Sequence, residues 1–195
     1  KIHAFCLVLS PFEQACRDLH VHTKHSFDAY IFGVTATPND AYRYAKGEGI
    51  MHPMGYEMKL QEPLDFYSVT DHGFFMGMLN AWADTSTDIS QKDFAKPFHD
   101  LNEIENITPE SAGPRSALFS SILGGTITQT YSDLSPNVMK AWFTKNTQAA
   151  LRSFDYEIHK SAWEDVAKAA NEHNDPGHFT TFIGYEFTTS TNIEG

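Results

Sequence analysis

The chain has 195 residues, of which 41% are hydrophobic and 20% charged, and its formal net charge is −11. The apolar share, with 15 Phe, 8 Tyr and 3 Trp, suffices for a sizeable core and excludes a wholly disordered chain; the length is that of one domain, or one domain with a large insertion. The acidic balance argues against nucleic acid as a partner, because little offsets phosphate repulsion, and no apolar run approaches the roughly 20 residues that cross a bilayer.

Residues 1–16 read as a leader or an N-terminal strand. The apolar run Ala4 to Leu9 is shorter than a typical signal-peptide core, although it fits the tail of a trimmed one. Cys6 and Cys16 form no CxxC pair and no disulfide scaffold, so localisation stays open between cytoplasmic and periplasmic or secreted. A strand is expected to end near Leu19, followed by an ionisable loop from Val21 to Asp28. A helix comes next: Thr37 is placed to cap it, Pro38 occupies its first turn with Asp40, and Gly47 or Gly49 closes it. Its expected buried face is Ala41, Tyr44 and Ala45. Leu64 to Thr70 then reads as a buried strand running into Asp71-His72-Gly73.

The region from about 80 to 152 breaks this alternation and reads as an insertion, with helices expected at 91–106, 115–123 and 136–149. A longer amphipathic helix begins at Ser153, with Phe154, Ile158, Ala162, Val166 and Ala169 on one stripe. It stops at Asn174-Asp175-Pro176-Gly177. A third strand, Phe179 to Tyr185, delivers Glu186 at its end. Strand, helix and strand with polar residues at the strand ends is the pattern of a parallel α/β protein.

Three strand ends therefore present potential ligands: His20 and His22, then Asp71 and His72, then Glu186. In a parallel sheet such ends converge on one face. Side chains two apart on a strand point the same way, so His20-x-His22 can grip one ion; imidazole with carboxylate suits Zn, Mn or Fe. Asp18 and Asp71 are placed to orient these imidazoles. His25 lies in the same loop and is a candidate for touching substrate. Lys24 and Arg43 are weaker candidates for holding an anion. No Gly-x-Ser-x-Gly elbow or phosphate loop occurs.

The stretch from Asp18 to Tyr30 (DLHVHTKHSFDAY), the helix TPNDAYRYAKGEG, the turn LDFYSVTDHG and FIGYE ending at Glu186 together resemble the PHP superfamily, named for polymerase and histidinol phosphatase. TPNDAYRYAKGEG, HPMGYEMKLQEPLDF and DPGHFTTFIGYEF resemble one branch more closely, domain-of-unknown-function family 3604. The resemblance implies a distorted (β/α)7 barrel over residues 17–195, with two or three divalent ions (Zn, Mn or Fe) at its mouth. It makes His20 and His22 ligands of one metal and Glu186 a bridge to a second. Asp28, where relatives carry His, would serve a third with His72. The family's later motifs are missing before Gly195, so residues 17–195 are expected to be an incomplete domain from a longer protein. The implied activity is metal-dependent hydrolysis of phosphate mono- or diesters, the substrate a small phosphoester, with Asp71 or His25 moving protons. The alternatives are a non-catalytic metal-binding module and an amidohydrolase-like C–N hydrolase.

Overall fold

The structure is a computed structural model that describes residues 5–10, 13–122 and 153–187. Two N-terminal strands, β1 (Phe5–Ser10) and β2 (Glu13–Val21), pair antiparallel with Cys6 opposite Cys16. Cys16 is disulfide-bonded. The cysteine spacing gave no sign of this, because the pairing depends on the register of a hairpin.

A short helix α1 (Phe27–Ile31) leads to α2 (Pro38–Ala45). α2 starts where expected, and Thr37 and Asp40 close a reciprocal cap: Thr37 Oγ1 accepts from Asp40 N at 3.1 Å and Asp40 Oδ2 accepts from Thr37 N at 3.0 Å. Gly47, at φ 80°, lets the chain leave the helix. The buried face is Ala41, Tyr42 and Ala45, with Tyr42 rather than Tyr44 at its centre. The Tyr42 hydroxyl explains the difference, because it donates to Phe182 O at 3.4 Å and accepts from Val69 N at 3.3 Å. A buried phenol with both partners costs little.

A two-stranded ribbon, β3 (Ile50–Met51) with β4 (Glu57–Met58), precedes β5 (Phe66–Val69), which lies parallel to β2. After β5 come α3 (Met78–Ala83), α4 (Ala112–Ile122) and α5 (Tyr156–His173). The last strand, β6 (Thr180–Thr181), is parallel to β5 and shorter than the segment 179–185 read from the sequence. The sheet order is β1-β2-β5-β6. The fold class is thus mixed helix and strand around a small parallel sheet, which does not close into a barrel among the described residues.

α2 and α5 pack on each other and on β5, burying Tyr67, Val69, Val166, Ala169 and Phe179 in one core. A second core joins α1 and α3 through Phe27, Ile31, Phe75, Leu79, Trp82 and Phe98. The segment read as a helix over 91–106 forms separate 3₁₀ turns at Lys96–Phe98 and Ile104–Asn106. Pro97 cannot continue an α-helical ladder, and Asp100 takes a left-handed φ of 54° between the turns. α4 covers most of the expected 115–123, and the helix expected at 136–149 lies outside the described residues. The 80–122 region is anchored by Arg115, a buried guanidinium that donates to Ile31 O at 2.7 Å, Asn102 Oδ1 at 2.9 Å, Asn106 O at 3.2 Å and Leu101 O.

Candidate metal centre

The end of β2, the loop after it, the turn after β5 and the segment after β6 meet at one place. β2 and β5 lie side by side and parallel, so His20 and His22 emerge at the same edge as Asp71 and His72. Beyond β6 the backbone returns to this edge: Glu186 N donates to Asp71 O and Gly73 N to Glu186 O, each at 3.0 Å. His72 and Glu186 form a parallel bridge. Gly73 is required by this approach, since a Cβ there would stand 2.9 Å from Tyr185 Cδ2.

The side chains converge as their backbones do. Glu186 Oε2 lies 2.9 Å from both His20 Nε2 and His22 Nε2. His22 Nδ1 is 3.0 Å from Asp28 Oδ2, which is 3.5 Å from His72 Nε2. His72 Nδ1 is 3.8 Å from Glu186 Oε1. All five residues read from the sequence as metal ligands therefore stand in two overlapping groups, His20-His22-Glu186 and His22-Asp28-His72. The site is graded in depth, with the His20 side chain 74% exposed and that of His22 only 14%. One side is thus open to solvent, and the other is backed by the Phe27 ring 4.9 Å from that of His72.

The electrostatics follow from this packing. Burial alone would depress the His22 imidazole, but the hydrogen bond and charge of Asp28, with the charges of Glu186 and Asp71, raise its pKa. Burial would raise the Asp28 carboxyl, yet hydrogen bonds from His22 and Ser26 hold it far below the usual carboxylate range.

The loop beneath the ligands is fastened by residues that the sequence did not single out. Thr23 is fully buried; its backbone N–H donates to Asp71 Oδ1 and its hydroxyl to Asp71 Oδ2 at 2.7 Å. Asp71 is itself fully buried, and burial pushes its pKa up against the pull of those two hydrogen bonds. Ser26 Oγ accepts from His72 N at 3.1 Å and donates to Asp28 Oδ1 at 2.5 Å, so one hydroxyl spans two residues of the cluster. Asp18 Oδ1 accepts from the His20 backbone N–H at 3.1 Å. His25 turns away from the cluster toward α5, where its Nε2 meets Asp165 Oδ2 at 2.8 Å. Arg43 pairs with Glu48 at 3.0 Å on the surface, and Lys24 lines a separate cavity. The only warning in the sequence of the Thr23 and Ser26 roles was small hydroxyl residues between ionisable ones, a pattern too common to be informative.

The donor set fits a divalent ion. Nitrogen and oxygen donors bound at about 2.0–2.2 Å to one ion stand roughly 3 Å from each other, which is the spacing found around Glu186 Oε2. Imidazole and carboxylate together favour Zn, Mn or Fe over Ca or Mg. A neutral imidazole has one lone pair, so His22 would ligate an ion through one nitrogen and its other N–H would need an acceptor. With Nε2 on the His20-Glu186 side, Asp28 is placed to be that acceptor, 3.0 Å from His22 Nδ1.

A mixed α/β chain with a half-open His and carboxylate cluster at its parallel strand ends is the class that fold and site define. The chain belongs to the family described as protein of unknown function (DUF3604), whose profile matches residues 15–195. No curated protein and no solved structure matches the chain. Among the described residues, no helix is long and apolar enough to cross a membrane.

Proposed function

We propose that this chain carries the metal site of a metal-dependent hydrolase acting on phosphate mono- or diesters, within a PHP-like distorted (β/α)7 barrel. The observation that carries the reading is the convergence of three imidazoles and two carboxylates from three strand ends. The phosphoester class rests on the resemblance of its motifs to the PHP superfamily. His20, His22 and Glu186 would hold one ion; Asp28 and His72 would offer a second position, and Asp28 also orients His22. When bound, divalent ions supply Lewis-acid polarisation of a phosphoryl oxygen and of water.

The chain's own residues do the rest. The exposed flank at His20 admits substrate, while Phe27 closes the back of the cluster against water. The Asp71 carboxylate is turned to Thr23, and His25 Nε2 to Asp165. In this reading they hold the ligand loop in place rather than exchange protons with substrate.

The test is metal content by elemental analysis of the purified chain and of a His20→Ala/His22→Ala variant, followed by hydrolysis of p-nitrophenyl phosphate and its diester with added Mn or Zn. Metal and turnover in the first and neither in the second are expected. Metal without turnover of either ester would leave a binding module, and no retained metal would remove the site.

A further inference from the structure

A cavity of about 320 Å³ opens on the far side of the ligand loop, between that loop, α3 and the 3₁₀ turns after it. Its size is at the low end for small-molecule sites, roughly 300–1,000 Å³. Tyr30, which lines it, is only 7% exposed, and its hydroxyl has no hydrogen-bond partner among the described residues. The Asn80 amide and the Lys24 ammonium, also lining it, are likewise without hydrogen-bond partners there. A phenol buried to this degree ordinarily finds a partner, so one that lines a cavity without a protein partner marks a place where a ligand can supply one.

The lining limits what that ligand is. Asp84, Asp100 and Glu103 oppose an anion, with Lys24 the single cation among the lining residues. A lone metal ion is disfavoured too, since these carboxylates form no group of three with oxygens within 4.8 Å of one another. Ala83, Leu101 and the Tyr30 ring are the apolar surfaces of the lining, against Lys24, Thr35, Asn80, Asn102 and the three carboxylates, a balance that does not suit a wholly hydrophobic molecule. What remains is a ligand that both donates and accepts along its whole outline. We propose that this cavity binds a small neutral polyhydroxylated molecule of monosaccharide size, its hydroxyls donating to the carboxylates and accepting from Asn80, Lys24 and Tyr30. The inference is independent of the metal centre, whose ligands do not line the cavity.

Titration of the full chain with D-glucose and with myo-inositol, followed by ligand-observed NMR and calorimetry, tests this. Saturable binding of one of them is expected, weakened about tenfold in Tyr30→Phe and in Asn80→Leu, the equivalent of one lost hydrogen bond. The same affinity is expected in His20→Ala/His22→Ala. Tyr30→Phe removes one oxygen and leaves the ring in place, so a thermal melt matching the parent separates lost binding from lost folding. No saturable binding of either polyol would overturn the proposal. So would binding indifferent to both substitutions, or putrescine saturating the site in place of the polyols.

Discussion

Replacing Thr23 with Val separates the hydrogen bond beneath the ligand loop from the packing around it. Thr23 and Asp71 are both fully buried, and the Thr23 hydroxyl donates to Asp71 Oδ2 at 2.7 Å. Valine has the same shape, so no cavity opens; the loss is that of the donor to a buried carboxylate, about 2 kcal/mol, together with the weaker acceptor that the His25 backbone N–H uses at 3.3 Å. For a chain of this length that corresponds to a melting temperature lower by about 4–8 °C. Thr23→Ser makes the opposite cut, keeping the hydroxyl and shedding a methyl group, at a cost of about 1 kcal/mol. Urea unfolding followed by tryptophan fluorescence should therefore rank the parent above Ser and Ser above Val. In an Asp71→Asn background the penalty of Thr23→Val should shrink, because the charged acceptor is gone. A Val variant within about 0.5 kcal/mol of the parent, or a Ser variant less stable than Val, would refute the assignment of this pair as the anchor.

Arg115→Met should cost about 3 kcal/mol or more in denaturant unfolding, since it strands the carbonyls of Ile31, Leu101 and Asn106 that the guanidinium now satisfies. Gly77→Ala should cost about 2 kcal/mol or more: the residue sits at φ 77°, and its new Cβ would stand 2.5 Å from Ala162 Cβ. A second change, Ala162→Gly, should return part of that loss in a thermal melt. Thr37→Ala removes one half of the α2 cap and should lower stability by about 1 kcal/mol. Added Zn or Mn should raise the melting temperature of the parent, chelation should reverse the rise, and His20→Ala/His22→Ala should respond to neither.

The convergence of these side chains was legible because its signal is local: an imidazole pair two apart at a strand end, and an apolar strand stopping at Asp-His-Gly. α2 was legible for the same reason, its cap lying within four residues of sequence. What the sequence hid were contacts between distant residues. His25 looked like a loop residue free to meet substrate, whereas Asp165, 140 residues away, occupies its Nε2. Tyr44 and Tyr42 are neighbours of the same type, and only the Phe182 and Val69 backbones choose between them. The stretch 91–106 carried helical composition, but Pro97 interrupts the backbone ladder and Asp100 turns left-handed at φ 54° between two short turns.

The link between His22 and Glu186 closes a loop of 164 residues, yet the segment that brings Glu186 into place is paired only through the two-residue strand Thr180–Thr181 and one further bridge, His72 to Glu186, among the described residues. Pairing this brief gives little cooperative hold on its own, and closing so long a loop is entropically costly. The cluster is therefore a clasp between the two ends of the described chain. An ion gripped by His20, His22 and Glu186 would tie the final segment to the first strands far more firmly than the sheet does, so metal loading and protection of residues 179–187 from proteolysis should rise and fall together.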